Sequence, residues 1–315
     1  MSYQFSIEKT NPSRVTAAVA VAMGLLLVVG YVVAGCGERT PDQAVARETG
    51  LTPPVAATPA PEAEEKPRVV SGPVSFEMAD STYRARRYGD AAMLFEVYTE
   101  RVSSNPWGFY MLGLSSWKSG ALDRAEQAFG RALELDPNHV KSHLNLSRVL
   151  LEGEQAESAL VHIEAALALD STSSEPLRLL GRAYESLDRT DEAIDAYQRA
   201  IVTNVEDVWA LNNLGVLYLR VQRFEDAIGP LARAVELDSG VATFHNNLGM
   251  ALEQTGRFRA AADAYRGALA IEGTYGKAVS NLARVELVKE DPALPPVDLA
   301  ERSRLLQEEI ARWRD

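Results

Sequence analysis

Hydrophobic and small residues recur along this chain with a period of 34 positions between residues 72 and 289. With units begun at Gly72, Pro106, Val140, Ser174, Val208, Ala242 and Gly276, position seven reads Met78, Leu112, Leu146, Leu180, Leu214, Leu248 and Leu282. Position eight is small throughout: Ala79, Gly113, Ser147, Gly181, Gly215, Gly249 and Ala283. Position twenty is alanine in all six complete units, from Ala91 to Ala261. Position twenty-four carries Phe95, Phe129, Ile163, Tyr197, Leu231 and Tyr265, and position twenty-seven is Tyr98 followed by five alanines. This pattern predicts two antiparallel helices per unit. Small residues at eight and twenty let the helices approach, and the leucines and larger side chains fill the space between neighbouring pairs.

The pattern changes at both ends. The seventh unit lacks its second helix and stops at EDPALPP, residues 290–296. Asp298, with Glu301 three residues on, reads as a helix start, and Leu299, Leu306, Ile310 and Trp313 form a one-sided seam. A helix over 298–314 is therefore expected to cover the end of the last repeat; the other reading is a helix offered to a partner. At the amino terminus, Val15 to Gly35 holds no charged residue and follows Lys9 and Arg14. It is either a signal peptide or a spanning helix, since about twenty apolar residues reach ~30 Å. Residues 37–72 are rich in Pro, Ala and Glu with no apolar period, and read as a disordered tether. The expected organisation is 1–36 signal or anchor, 37–72 linker, 73–289 repeat array and 290–315 C-terminal capping helix.

The repeat resembles the tetratricopeptide repeat (TPR), whose signature is W-x2-L-G-x2-Y, then A-x3-F, then P over 34 residues. The resemblance covers residues 72–289 and implies an all-α fold, a right-handed superhelix of antiparallel helix pairs. Departures are local. The position-four tryptophan is absent, position eleven is aromatic only in Tyr184 and Tyr218, and the end-of-unit proline survives only as Pro137. Pro230 falls inside a second helix, where it is expected to kink the helix or loosen one backbone bond. The last residues of the apolar segment, Val33-Ala34-Gly35-Cys36, resemble the bacterial lipobox, which implies cleavage before Cys36 and lipid, palmitate included, on that cysteine.

In the family the first helix of each unit lines a concave groove, with contacts from positions two, five, six and nine. Position six here reads Asn145, Leu179, Asn213, Asn247 and Asn281. Asparagine is a mediocre helix former, so its recurrence needs another cause. One is that each amide brackets a peptide unit of an extended ligand, as in the asparagine ladder of peptide-binding TPR proteins. The other is pairing between neighbouring helices or with water. Arg148 and Arg182 at nine, Arg178 at five and Lys141 at two would form a basic patch suited to an acidic segment or chain carboxylate. Trp209 at two is the candidate aromatic anchor, or else is buried between repeats. The family's carboxylate clamp arrangement is absent.

Composition narrows the function. Hydrophobic residues make up 46% and aromatics 7%, a helix builder's mixture. A net charge of -12 argues against binding nucleic acid. One cysteine excludes an internal disulfide framework. His139 and His143 stand four apart, but VKS between them supplies no glutamate base, so neither a metal site nor an enzyme is expected; no cofactor is expected either. The expectation is a membrane-tethered, extracytoplasmic scaffold that binds an extended segment of an envelope protein in its groove. Gly37 after the cysteine is not the aspartate linked to inner-membrane retention in enteric bacteria, which favours a lipid anchor in the outer membrane, facing the periplasm; a single-pass inner-membrane anchor is the alternative. The outline is similar to pilotins that escort secretin subunits. The competing reading is a spacer or dimerisation module with partners on the convex face.

Overall fold

The computed structural model describes residues 73–314, and these residues form fourteen α-helices and no strand. Helices α1 (Phe76–Arg84) and α2 (Tyr88–Arg101) make the first pair; α3 (Pro106–Lys118) and α4 (Leu122–Leu135) make the second. They are followed by α5 (Val140–Glu152), α6 (Ala156–Leu169), α7 (Ser174–Ser186), α8 (Thr190–Thr203), α9 (Val208–Arg220), α10 (Phe224–Leu237), α11 (Ala242–Gln254) and α12 (Phe258–Ile271). A lone α13 (Gly276–Val285) and a final α14 (Leu299–Arg312) end the series. Six of the seven first helices begin at the predicted unit starts. The exception is α1, which begins four residues late, at Phe76. The signal or anchor of 1–36, including the lipidation at Cys36, and the linker of 37–72 lie outside the described residues.

The periodic positions do what their chemistry requires. Alanine at position twenty and the large residue at twenty-four are fully buried in all six complete repeats. The reason position eight stays small is direct: a Cβ on Gly113 would lie 2.6 Å from the Phe129 ring, and one on Gly181 would lie 2.5 Å from the Tyr197 ring. The position-twenty-four side chain thus sits on the backbone of the preceding helix, and one apolar core runs through the repeats.

Two turn devices repeat as well. Between the helices of a pair, position fifteen has positive φ: Arg86, Gly120, Glu154, Asp188, Gln222 and Gly256, with φ from 56° to 84°. Only two of the six are glycine, so the sequence marks the turn poorly. Between pairs, the side-chain oxygen of Asp136, Asp170, Asn204 or Asp238 accepts from the backbone N–H two residues on. This Asx turn sets the bend between pairs, together with Pro137 at Asp136 and without a proline at the other three.

The C-terminal helix departs from expectation in its position. It forms, with Asp298 accepting from the Glu301 N–H as its N-cap, but it packs on α10 and α8 rather than on the end of the last repeat. Glu290 accepts from the Arg259 N–H at the start of α12, so the connecting segment turns back along the array. Leu306 and Ile310 are buried, Arg302 pairs with Glu225 at 2.8 Å, and Ser303 donates to Glu236. Gly229 makes room, since a Cβ there would already touch the Arg302 carbonyl and Leu306 Cβ at 3.5 Å. Pro230 is buried within a helix that runs on without interruption to Leu237. The end of the array stays open: Val279 and Val288 are exposed, and Leu287 is 88% exposed.

Candidate functional site

The odd-numbered helices α3 to α13 present the residues singled out from the sequence, and their polar groups pair mainly with one another. Position six of one repeat meets position five of the repeat before it, 35 residues earlier. Asn145 Nδ2 donates to the Tyr110 hydroxyl at 3.3 Å, Asn247 Nδ2 to Asn212 Oδ1 at 2.9 Å, and Asn281 Nδ2 to Asn246 Oδ1 at 3.0 Å. Three of the four asparagines therefore stitch neighbouring helices together. Asn281 and Asn145 also accept from Arg284 and Arg148 on their own helices.

The rule is one of matched pairs. Where position six is Leu179, position five before it is Leu144, and both are buried. In the first pair of repeats Phe76 stands opposite Met111 in the same register. The mismatch is Asn213. Its register partner is Arg178, which has no acceptor to offer. Asn213 is 1% exposed, and its Nδ2 finds no hydrogen-bond partner.

Arg148, Arg178 and Arg182 lie close enough to feel one another's charge. Arg148 on α5 donates to Asn145 Oδ1 at 2.7 Å and pairs with Glu175. Burial, with Arg178 and Arg182 nearby, pushes its pKa down to about 10. Arg178 on α7 pairs with buried Asp207 at 3.4 Å, and Asp207 also accepts from Ser174 at 2.7 Å and caps α9 through the Ala210 N–H. Arg182, one turn further along α7, differs from both. Among the described residues no carboxylate lies within ion-pair distance of it, and its Nε is buried without an acceptor. Burial lowers its pKa, while Tyr197 and Glu152 favour the charged form.

Glu152 and Glu185 favour the charged form of Arg182 from beyond ion-pair distance, and their own direct partners are other residues. Glu185 takes the Tyr197 hydroxyl and pairs with Arg220 at 3.0 Å. Burial raises its pKa despite Arg220. Glu152 accepts from Trp117 Nε1 at 2.8 Å. The sequence reading missed these acidic partners because acidic residues at repeat spacing look like solvated helix faces.

Trp209 is half-buried, edge-on to Phe244 with ring centroids 5.0 Å apart. The aromatic left accessible is Trp107, at position two of the second repeat, 47% exposed and stacked edge-on to His139 and Tyr110. Its shared position with Trp209 was the signal for it. His143 and His162 join through their Nδ1 atoms at 3.1 Å, and His143 Nε2 meets the Pro137 carbonyl at 3.0 Å. Among the described residues no cluster of three or more His, Cys, Asp or Glu is placed to hold a metal. No described helix is long and apolar enough to cross a membrane.

Known proteins share this architecture. A family model described as "Cilia and flagella-associated protein 70 middle TPR-like domain" matches residues 76–200, and the "Tetratricopeptide repeat" model matches 178–242 and 212–276. A DnaJ homolog subfamily C member 7 homolog of Schizosaccharomyces pombe is 30% identical over 99 residues, covering 30% of this chain and 21% of its own. A peroxisomal targeting signal receptor of Komagataella phaffii is 31% identical over 100 residues, covering 31% and 17%. The chain thus spans about a fifth of the length of these curated relatives. A thermophilic TPR protein of Thermus thermophilus superposes with a TM-score of 0.50 at 20% identity, over 58% of this chain and 100% of its own, a likeness of fold alone.

Proposed function

We propose that this chain, a tetratricopeptide repeat protein, is a tethered scaffold that holds an extended segment of a partner protein along the face of its odd-numbered helices. The observation that carries the reading is the row of polar side chains on successive odd-numbered helices, Asn145, Arg148, Arg178, Arg182, Asn213, Asn247 and Asn281, of which Asn213 Nδ2 and Arg182 Nε are two of the four buried side-chain atoms, with Ser116 Oγ and Arg257 Nε, that lack a partner among the described residues. The opposite face is partly occupied by α14, which favours the odd-helix face over the spacer reading. The reading is of a binding protein, not a catalyst.

The tether is the apolar segment and Cys36, with Val33-Ala34-Gly35 before it. A lipid on Cys36 would place the repeats outside the cytoplasm, and residues 37–72 would let them stand off from the bilayer. The partner is then another envelope protein, and the setting is envelope assembly. In-membrane crosslinking followed by mass spectrometry tests both halves. Recovery of an envelope protein with crosslinks on α5, α7 or α9, from a chain beginning at lipidated Cys36, is expected. Crosslinks confined to the even-numbered helices would overturn the groove, and an unmodified N-terminus at Met1 would overturn the lipid anchor.

A further inference from the structure

Two histidines of repeat three face each other across a helix pair. His143 on α5 and His162 on α6 stand 19 residues apart in sequence, and their Nδ1 atoms lie 3.1 Å apart. The closer pair in sequence, His139 and His143, is split instead, because His139 Nδ1 meets Ser142 Oγ at 2.6 Å. The Pro137 carbonyl can only accept, so it takes the His143 Nε2–H at 3.0 Å, and a neutral His143 then presents the lone pair of its Nδ1. That orientation does not depend on His162. His245, at the same position of repeat six, places its Nε2 3.1 Å from the Ser239 carbonyl, again six residues back. Its Nδ1 lies over Gly267, where a Cβ would come within 2.6 Å, and not against a second histidine. The turn between pairs therefore sets the tautomer, and His162 is what distinguishes repeat three.

We propose that His143 and His162 together bind one divalent late transition-metal ion, zinc, copper or nickel, through their Nδ1 atoms, with water filling the remaining positions. Neutral imidazole is a ligand these ions favour. Two nitrogens at about 2.0–2.1 Å from one metal stand ~2.9 Å apart at a right angle and ~3.3 Å apart at the tetrahedral angle, and the observed 3.1 Å lies between. A carbonyl holding the far nitrogen is the usual support of a metal-bound histidine, because it fixes the ring and raises its basicity. Without metal, His162 Nδ1 donates to His143 Nδ1. Binding moves that proton to His162 Nε2, a change of tautomer, so both Nδ1 lone pairs go to the metal and no net proton is released. The adjustment falls on His162, whose ring is half-buried, while His143 is buried and held by Pro137. A small turn of the His162 ring makes the two lone pairs converge. Among the described residues no third His, Cys, Asp or Glu joins the pair, so the ion keeps open positions and exchanges with solvent. It clamps α5 to α6 within one repeat and stabilises that repeat by mass action.

The test uses the full chain in detergent micelles, with zinc ion as the probe and magnesium ion, which prefers oxygen ligands, as the control. Calorimetric titration reads affinity, and proton–nitrogen correlation spectra of the histidine side chains read which nitrogen binds. In the metal-free chain His143 should show the Nε2–H tautomer. Zinc should shift the Nδ1 resonances of His143 and His162 and leave those of His139 and His245 in place; magnesium should shift none. His162→Gln and His143→Gln should each weaken zinc binding by at least about 10-fold, since losing even an outer partner of a metal ligand costs roughly 10–100-fold, and His245→Gln should leave it unchanged. Zinc should also raise the melting temperature of the parent and not that of His162→Gln, whose half-buried position keeps the variant folded, as circular dichroism would verify. Zinc affinity equal in the parent and in His162→Gln overturns the site. So do shifts at His139 or His245 in place of the pair, and so does the absence of zinc binding.

Discussion

The matched-pair rule makes a prediction that separates structural asparagines from ligand-binding ones. Asn247 donates to Asn212 Oδ1 across 2.9 Å, and Asn212 is buried almost completely. Asn247→Leu removes the donor and strands that oxygen, which costs about 1–3 kcal/mol. Asn212→Leu strands the Asn247 amide instead; that residue is only half-buried, so the cost should fall at the lower end of the same range. The double variant Asn212→Leu with Asn247→Leu removes both partners of that bond and loses besides it only two long contacts of 3.5 Å, to Asn213 Oδ1 and from Asn246 Nδ2. It reproduces the Leu144 and Leu179 arrangement that the protein already uses two repeats earlier, and replacing both partners by apolar groups should be close to neutral. At about 2–4 °C per kcal/mol for a domain of this size, Asn247→Leu should lower the melting temperature by roughly 2–12 °C, and the double variant should recover most of the loss. Circular dichroism melts measure this. Hydrogen exchange at α9 and α11 should accompany them, because repeat arrays open locally and a single transition hides where. If the double variant loses the sum of the two single losses, the pairing account is refuted.

Other sites give simpler expectations. Gly113→Ala forces a methyl to within 2.6 Å of the Phe129 ring and should cost about 1–3 kcal/mol by overpacking, read by urea unfolding; an unchanged midpoint would contradict the close approach. Leu306→Ala should cost about 2–5 kcal/mol locally and make α14 sensitive to protease while the repeats stay folded; a uniform loss across the array would contradict a separately docked helix. Burial lowers the pKa of both His162 and His139 from the ordinary 6.5. The unfolded chain then binds protons more readily, so stability is complete above the unfolded value and declines as pH falls through it toward the lowered folded values. Melting temperatures between pH 7.5 and 5 should show this decline, and His162→Gln should flatten it; a variant with the parent's slope would assign the decline elsewhere.

Most of the helical architecture could be read from residue types, because the positions that matter are those where chemistry is most constrained. Alanine at twenty and a large apolar residue at twenty-four admit few substitutes when one helix rests on another. The position of α14 could not be read. Its seam specifies an apolar partner surface but not which one, and that choice depends on Gly229 clearing a path on α10 and on Glu290 turning the chain at α12. The asparagine row was legible by position and not by partner. Asn145, Asn247 and Asn281 stand where expected, yet what each amide bonds is set by a residue 35 positions earlier, and a single unit read alone does not contain it. Trp107 was hidden because an exposed and a buried tryptophan at the same repeat position look identical in sequence.

The value of the matched-pair rule lies in its exception. Tyr110 with Asn145, Leu144 with Leu179, Asn212 with Asn247 and Asn246 with Asn281 all join like with like. An asparagine row selected to face a ligand would leave its amides free in every repeat, and one selected only to join helices would leave none free. One donor in the row is left without an acceptor, Asn213 Nδ2. The recurring asparagine is thus a device for stacking repeats, and Asn213 is the break in its pattern. Arg178→Asn tests that division: it restores the Asn–Asn pairing to Asn213, though it also removes the guanidinium from Asp207, whose Ser174 and Ala210 bonds remain. If the register mismatch is what leaves the Asn213 amide unpaired, hydrogen exchange in α9 should slow in the variant; unchanged or faster exchange would refute it.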